Sequence, residues 1–260
     1  MDYDWKAFKA IVRLLQPGAV TFGGYDSDVR WVGNEEGHAP GVSWSMQGND
    51  WRPSETDVSL RPGWFWPPNE DPKSVTHLMD IYYRSIGHNS KLLLNVPPNR
   101  EGRLSDEDVK RLMEWREAID AVFDDNLAVD ADAEADSVRG DSPDYGAARV
   151  LDGDPETYWA PAKGKSNGRV EIDLGEEVRF NVICLQEPIS MGQRVKAYHV
   201  DALTEDGWKT IARSKTIGYK RLHRLDEVQT DGLRVVIDET REDSPPLIGE
   251  VGVYLDPQNY

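Results

Sequence analysis

Apolar residues recur at three- and four-residue spacing near the start of the chain. Trp5, Phe8, Ile11 and Leu15 would lie on one side of a helix, and this spacing predicts a helix with one buried face. The dipeptide Pro17-Gly18 should end that helix, and the apolar run AVTF behind it predicts a short buried strand.

Strands and helices continue to alternate after a loop. The next segments predict a strand that enters a loop, a helix, a buried strand and a last helix: TDVSLRPGWFW, SVTHLMDIYYRSIGHNS, KLLLNVPP and SDEDVKRLMEWREAIDAVF. In the last helix, Ser105 is the expected N-cap and Asp108 lies in the first turn. Alternating elements predict parallel strands with helical crossovers. Only about three strands are predicted, which amounts to roughly half of a (β/α)8 TIM-type barrel, entered part-way round.

The pattern changes near residue 128. A segment rich in Asp, Ala and Gly, NLAVDADAEADSVRGDSPDYGAA, has no sustained period and predicts a linker or domain entry. Six short runs with strand character follow: RVEIDL, FNVICLQEP, VKAYHVDAL, WKTIAR, LRVVID and EVGVYL. Turn signals such as Glu205-Asp206-Gly207 separate them, and this spacing predicts an all-β sandwich. The sequence therefore predicts two domains, residues 1–127 and residues 128–260.

The net charge of the chain limits the classes of partner that it can bind. Thirty Lys and Arg residues against 47 Asp and Glu residues give a formal net charge of −17 at pH 7. Nucleic acid and anionic membrane surfaces would be repelled, so neither is expected as a partner. Cys184 is the single cysteine, which excludes an intrachain disulfide. We expect no signal peptide, because the N-terminus lacks a basic segment followed by an apolar core, and the localisation stays open.

Two adjacent carboxylates in RWVGNEEG are the first chemical candidates. Glu35 and Glu36 lie in a glycine-bounded stretch, and taken alone they are typical of a solvated acidic turn. Tryptophans also crowd into the first domain, namely Trp31, Trp44, Trp51, Trp64 and Trp66. Indole rings suit the C–H faces of sugars, although most tryptophans in proteins belong to a core. We interpret Trp44 and Trp51 as structural.

Five longer blocks, spread over both predicted domains, indicate a family. They are DVRWVGNEEGHAPGVSWS, TDVSLRPGWFWPPNED, IYYRSIGHNSKLLLNVPPNREGRLSDEDVKRL, ARVLDGDPETYWA and TIGYKRLHR. Together they resemble the α-L-fucosidases of glycoside hydrolase family 29, most closely the branch that prefers branched, internally linked fucose. The resemblance implies the second half of the catalytic barrel, followed by a discoidin-like sandwich of the galactose-binding jelly-roll type. The family's Trp-Phe-Asp-Gly block, which carries the nucleophilic aspartate, has no counterpart in this sequence.

The resemblance also implies a mechanism and its residues. A retaining glycosidase needs two carboxyl groups about 5–5.5 Å apart, one to attack the sugar and one to protonate the leaving oxygen. The family's acid position falls on Glu35, with Glu36 and Glu55 as less favoured alternatives. Arg30 would donate to a fucose hydroxyl, and Trp64 and Trp66 would line the sugar pocket.

The same resemblance limits the partners and cofactors. Fucosylated oligosaccharides or glycoproteins are the implied substrates, and no cofactor is implied for catalysis. Because the nucleophile block has no counterpart, the chain should be inactive alone, and a separate N-terminal barrel half is a candidate partner. Asp57 is the first suspect if a second nucleophile exists in this chain. The alternatives are a non-catalytic carbohydrate-binding remnant and a structural two-domain fragment.

A second candidate site lies in the predicted sandwich, in LDGDPETYW. The segment resembles a loop of discoidin-like modules that holds a structural calcium, and Asp152, Asp154 and Thr157 offer hard oxygens within one turn. By resemblance, Glu250 would supply another ligand. The alternative interpretation is an Asp-Gly turn with Trp159 as a core residue.

Overall fold

The structure is a computed structural model that describes residues 3–23, 27–41 and 52–260, apart from the side chain of Asp243. Trp44 and Trp51, which we interpret as structural from the sequence, lie outside the described residues. Among the described residues, no helix combines the length and apolar character needed to cross a bilayer.

The first part of the chain forms a parallel sheet with three helices. The strands are β1 (Phe22–Gly23), β2 (Val29–Trp31), β3 (Ser54–Ser59) and β4 (Ser90–Asn95), hydrogen-bonded in that order. The helices are α1 (Trp5–Leu15), α2 (Val75–Ser85) and α3 (Asp106–Phe123). Every pairing in this sheet is parallel, so the predicted half barrel is confirmed.

Capping side chains fix where two of the helices begin. The Ser105 hydroxyl accepts a hydrogen bond from the Asp108 backbone N–H at 3.3 Å, as the sequence predicts. Ser74 caps α2 in the same way through the N–H of His77 at 3.2 Å. Helix α2 then buries Leu78, Met79, Ile81 and Tyr83 among other residues.

Three expectations for this part are wrong. The run AVTF does not form a buried strand, because β1 covers only Phe22–Gly23, and Val20 and Phe22 are 72% and 55% exposed. The sequence predicts one strand fewer, because β2 has only three residues and is too short for a periodic pattern. The prediction that α1 buries one face also fails, since none of its eleven residues is buried. Trp5 is 66% exposed and Ile11 56% exposed. The apolar face of α1 has the helical spacing but no buried contact within the described residues.

The sheet has two different faces. Val58 of β3 packs with Leu78 and Ile81 of α2 on the helix side. Side chains alternate along a strand, so every second residue of β3 and its register partners points to the other side. We call this other side the open face, and its residues are Trp31, Glu55, Asp57, Ser59, Lys91, Leu93 and Asn95.

The second part of the chain is the predicted β-sandwich. Its strands are β5 (Asp132–Ala135), β6 (Gly168–Gln186), β7 (Val195–Thr204), β8 (Gly207–Ser214), β9 (Arg221–Thr240) and β10 (Glu250–Tyr254). They pair antiparallel in the order β10-β6-β9-β7-β8, with β5 on β6. The long strands β6 and β9 change register twice. The first half of β6 therefore pairs with β5 and its second half with β10, while the second half of β9 pairs with β7.

One layer of the sandwich is buried on both faces. Ile183 and Leu185 of β6 belong to the sandwich core. The alternate residues Val182 and Cys184 pack instead with Met79 of α2 and with other residues of α2 and α3. The run VICL can be apolar throughout because both sides of this strand exclude water.

A tight turn places the loop after β2 against the helix layer. Gly37 has a φ of +71°, and its N–H donates to the Asp57 carbonyl of β3 at 3.0 Å. A Cβ at this position would lie 2.9 Å from Ile81 Cγ2 and 3.0 Å from Val58 Cγ1. Only glycine combines this backbone conformation with this close approach.

Glu187 closes the loop between β6 and β7. Its carboxylate accepts hydrogen bonds from the backbone N–H groups of Arg194 at 2.7 Å, Val195 at 2.9 Å and Gly218 at 2.7 Å. Burial raises the pKa of Glu187 to about 7, although the three donors act in the opposite direction. The carboxylate ties the β6–β7 loop to the segment that leads into β9.

We expect Gly37→Ala to destabilise the packing of the loop after β2. The new Cβ meets Ile81 and Val58 in a packed layer, and such overpacking costs about 1–3 kcal/mol of unfolding free energy. Gly33→Ala is the matched control, because Gly33 also has a positive φ, +96°, but has open space around its Cβ position. Urea unfolding of both variants measures the difference. Equal losses in the two variants would show that packing against α2 contributes nothing.

We expect Glu187→Gln to alter the pH dependence of stability. The folded pKa lies above the ordinary value, so the wild-type contribution is full below about pH 4.5 and is lost as the pH rises through about 7. Between about pH 5 and about pH 8, the wild type should lose on the order of 2 kcal/mol more unfolding free energy than the variant. Urea-unfolding curves at both pH values measure this. Glu177→Gln, at an exposed position, should follow the wild type; parallel profiles for wild type and Glu187→Gln would contradict the assignment.

Candidate active site

Glu35 lies in the loop that leaves the carboxyl end of β2. The loop continues the sheet for one residue, since the Val32 N–H donates to the Glu55 carbonyl at 3.1 Å. Beyond Gly33 the chain turns, and the exposed Glu35 carboxylate accepts a hydrogen bond from Trp64 Nε1 at 2.8 Å. Two of the residues singled out from the sequence, Glu35 and Trp64, are therefore in direct contact.

Trp64 is held at the carboxyl ends of β3 and β4. The Asn95 amide donates to the Trp64 carbonyl at 3.0 Å and to the Ser59 hydroxyl at 3.0 Å. The Ser59 hydroxyl in turn donates to the Gly63 carbonyl at 2.7 Å. Ser59 and Asn95 are register partners in neighbouring strands, so the loop starts from a fixed platform.

A buried ion pair also holds the loop that carries Trp64. The Arg61 guanidinium donates to both carboxylate oxygens of Asp108 at 3.0 Å and to the Ser105 hydroxyl at 3.1 Å. It also donates to the Glu70 carbonyl farther along the loop. Arg61 and Asp108 are both buried, so loss of either partner would leave an uncompensated buried charge. The N-terminus of α3 thus fixes the loop that carries Trp64.

Trp66 has a different environment from Trp64. Its ring packs over the Arg61 guanidinium with 5.6 Å between the ring centroid and Cζ. The side chain is half-buried, and its Nε1 is buried without a hydrogen-bond partner among the described residues. A sugar-binding role for Trp66 stays a prediction.

Arg30 lies on the strand immediately before the Glu35 loop. Its register partner is Ser54, whereas its neighbour Trp31 pairs with Glu55. By strand alternation, Arg30 is on the helix side of the sheet and Trp31 on the open face. Partial burial lowers the pKa of the Arg30 guanidinium. A contact between Arg30 and a fucose hydroxyl stays a prediction.

The two alternative acids differ from Glu35 in their surroundings. Glu36 is exposed, and its carboxylate lies 4.0 Å from His38 Nδ1. Glu55 is only 7% exposed and forms an ion pair with Lys91 at 3.1 Å across the strands. Neither contacts an indole N–H in the described residues.

Sequence reasoning missed a second indole–carboxylate pair on the open face. Trp31 Nε1 donates to Asp57 Oδ1 at 2.6 Å. It also missed Lys91 and Asn95 as polar groups of this face. The two carboxylates Glu55 and Asp57 lie two residues apart in β3 and could have indicated a polar face, since the period of a strand is two.

The arrangement suits proton transfer at the end of a parallel sheet. In barrels of this kind the reacting groups gather at the carboxyl ends of the strands. Glu35 is open to a ligand, and the neighbouring Trp64 ring offers a flat apolar surface for a sugar. The open face also carries Asp57 beside the Trp31 ring.

The predicted calcium loop is held by its own hydrogen bonds. The Thr157 hydroxyl donates to both Asp152 oxygens at 2.8 Å, and Arg149 donates to Asp152 at 3.3 Å. The Asp154 carboxylate accepts from the Glu156 N–H at 2.9 Å. Glu250 lies on β10, where it accepts from the Gln186 amide. Within the described residues, no three His, Cys, Asp or Glu side chains gather in a metal-binding arrangement.

Trp159, in the same segment, is a core residue, as the alternative interpretation of this segment predicts. It is completely buried in the sandwich core, and its Nε1 donates to the Ser137 carbonyl at 3.0 Å.

Comparison with known proteins begins with the sandwich. The family model of the F5/8 type C domain matches residues 132–251. This range starts at the first residue of β5 and ends within β10.

The relatives cover both parts of the chain. Two plant proteins whose curated names contain alpha-L-fucosidase 1, from Oryza sativa subsp. japonica and Arabidopsis thaliana, are 42% and 38% identical over 98% of this chain. The chain spans about half the length of these curated relatives, 54% and 55%.

Solved structures match the fold over the same extent. A GH29 fucosidase from Ruminococcus gnavus in complex with fucose is 34% identical, with a TM-score of 0.89, over 100% of this chain and 58% of that chain. The crystal structure of SpGH29 has a TM-score of 0.88 at 30% identity, over 98% of this chain and 60% of that chain. The resemblance drawn from the sequence is confirmed: over nearly its whole length the chain is similar to α-L-fucosidases, among them a solved GH29 fucosidase, and its sandwich matches the F5/8 type C domain.

Proposed function

We propose that this chain supplies the acid/base part of a retaining α-L-fucosidase. The observation that carries the proposal is the position of Glu35, at the carboxyl end of a parallel sheet and hydrogen-bonded to Trp64 at 2.8 Å. The relatives in rice and Arabidopsis, whose curated names contain alpha-L-fucosidase 1, support the reaction. A solved relative in complex with fucose supports the sugar.

Glu35 would act twice in the reaction. It first donates a proton to the glycosidic oxygen as the bond to the fucose carbon breaks. It then accepts a proton from the water that releases fucose from the nucleophile. Trp64 would orient the carboxyl group through its N–H and offer its ring to the sugar, while Arg30 and Trp66 are further candidate contacts.

The attacking carboxylate would come from outside residues 1–260. The sequence has no counterpart of the family's Trp-Phe-Asp-Gly block, and the chain spans only 54% and 55% of the curated relatives. Asp57 accepts a hydrogen bond from Trp31 on the open face and stays the first candidate if a nucleophile lies within this chain.

Several exposed surfaces of the chain support the proposal that another barrel half supplies the nucleophile. The apolar residues of α1 are exposed, β1 has a strand neighbour on one side only among the described residues, and the open face carries polar groups. A separate N-terminal barrel half would pair with β1 and place its carboxylate opposite Glu35. Fucosylated oligosaccharides or glycoproteins would be the substrates of the complete site.

We also propose a structural calcium in the sandwich. Asp152, Asp154 and Thr157 lie within one turn and provide the hard oxygens that calcium prefers. To bind the ion, Thr157 would have to rotate its hydroxyl hydrogen away from Asp152. Glu250 would have to leave Gln186 to join the site.

We expect the chain alone to show no fucosidase turnover and a complemented protein to depend on Glu35. When the chain is co-expressed with the first barrel half of a relative, Glu35→Gln should slow fucosides with poor leaving groups by on the order of 100-fold or more. The same change should affect glycosylation by an activated aryl fucoside far less, because that leaving group departs without a proton. Azide should partly restore turnover of the aryl substrate. Initial rates on both substrate classes measure this.

Glu36→Gln is the matched control for the acid/base assignment. Both substrate classes should react nearly as in the complemented wild type, since Glu36 faces solvent. Leaving-group dependence in Glu36→Gln, and not in Glu35→Gln, would reverse the assignment within the pair. Robust turnover by the isolated chain would overturn the proposal that the nucleophile comes from elsewhere.

We expect calcium to raise the melting temperature of the chain relative to a chelator. A ligand that binds only the folded state stabilises it by about 2.7 kcal/mol at one hundred times its dissociation constant. Asp154→Asn should remove the shift, whereas the exposed Glu176→Gln should keep it. Identical melting curves with calcium and with chelator would reject the site.

A further inference from the structure

The loop that carries Glu35 is tied down along its length by the barrel part of the chain. We call residues 32–41 the acid/base loop. Three of its backbone groups bond to β3 and α2: Val32 and Gly37 to β3, and Ala39, whose N–H donates to the Arg84 carbonyl at 2.8 Å. The Ala39 carbonyl accepts from His88 Nδ1 at 2.7 Å. Burial lowers the pKa of His88, and its neutral ring is the Nδ1–H donor.

A further tie to this loop comes from the sandwich. Arg221, the first residue of β9, is only 3% exposed. Its guanidinium donates through Nε to the Thr216 carbonyl at 3.0 Å and through Nη2 to the Thr216 hydroxyl at 2.9 Å. The same Nη2 donates to the carbonyl of Gly41, at the end of the acid/base loop. One side chain thus joins the sandwich to the loop of the candidate acid.

The position of Arg221 is itself fixed by the contact between the two parts of the chain. Arg221 forms a bridge with His88 in the turn after α2, and the Leu222 N–H donates to the Gly87 carbonyl at 2.9 Å. On the other side, the Lys220 N–H donates to the Asn89 side chain at 2.9 Å. The guanidinium therefore starts from a backbone held on both sides, and little entropy remains to be lost when it binds Gly41.

A second route from the sandwich reaches the same loop. Arg224 Nη2 donates to Asp80 of α2 at 2.8 Å. The other oxygen of Asp80 lies 3.4 Å from His38 Nε2. The His38 carbonyl accepts from Asn34 at 2.9 Å, next to Glu35. Arg221 bonds directly to one end of the loop, whereas Arg224 bonds to Asp80 of α2, which lies close to the middle of the loop.

We propose that Arg221 is a positioning residue for Glu35: by bridging Thr216 of the sandwich and Gly41 of the acid/base loop, it makes the sandwich a structural part of the acid site. The effect of Arg221 on catalysis rests on the proposed function, whereas its contact with the acid/base loop does not. It goes beyond sugar binding or calcium binding as the role of this domain. The planar fork of arginine is required, because a lysine at this depth cannot bond both partners in the same geometry.

Hydrogen exchange of the chain tests the contact without any catalytic assay. Arg221→Lys should raise the exchange rate of peptides from the acid/base loop by on the order of 10-fold, while peptides from β7 and β10 keep wild-type protection. The matched control is Arg213→Lys, at an exposed arginine of β8. Unchanged protection of the loop in Arg221→Lys would overturn the proposal. A loss spread evenly over the sandwich would overturn it as well, because the residue would then be only structural.

Thr216→Val is a milder variant that keeps the arginine. It removes the hydroxyl acceptor of Nη2 but retains side-chain shape, so the fold should survive even where Arg221→Lys does not. We expect the same local increase in loop exchange, smaller in size. Where Arg221→Lys does not fold, wild-type exchange of the loop in a folded Thr216→Val protein by itself rejects the role of Arg221.

Kinetics of the complemented enzyme separate positioning from general stability. Arg221→Lys should lower kcat for poor leaving groups several-fold more than for the activated aryl fucoside, with KM nearly unchanged, because proton transfer is the step that needs Glu35 in place. Equal losses on both substrates would overturn the positioning role. If exchange responds to Arg221 but Glu35→Gln shows no leaving-group dependence, the acid assignment fails while the loop contact stands.

Discussion

The whole arrangement depends on one sheet layer that is buried on both faces. Val182 and Cys184 of β6 contact the helices of the half barrel, while Ile183 and Leu185 point into the sandwich core. Burial of apolar surface stabilises by roughly 25 cal/mol per Å², so this layer holds the two parts together as one packed body. Segment 215–224 therefore lies beside the turn after α2. Arg221 can reach the acid/base loop only because of this packing.

In the half barrel, the loop that carries Trp64 is firmly held, but the candidate active site is exposed on one side. The loop of Trp64 rests on a buried Arg61–Asp108 pair and on the paired strand ends of Ser59 and Asn95. The open face, by contrast, carries Trp31, which is 40% exposed, beside Asp57. A proton-transfer group needs a rigidly held loop behind it and an accessible face in front of it. Both would be required if a second barrel half supplied the attacking carboxylate.

Periodic elements were predictable, and elements formed by pairing were not. The Ser105 cap of α3, helix α2 and the apolar strands of the sandwich follow from local patterns. Strands β2 and β5 and the first part of β9 escaped prediction because they are short or charged. A segment such as RLHRLDEVQ has too little apolar alternation, and it becomes a strand by bonding to β6.

The sequence by itself predicted the order of the periodic elements, a change of domain near residue 128, the family resemblance and Glu35 as the candidate acid. These depend on local periodicity and on contiguous blocks, which a linear chain displays directly. Only the tertiary structure decided that Trp64 bonds to Glu35, that Asp57 bonds to Trp31 and that Arg221 bonds to Gly41. These pairs lie 26 to 180 residues apart, and side-chain chemistry at such separations is set by packing that no local pattern encodes.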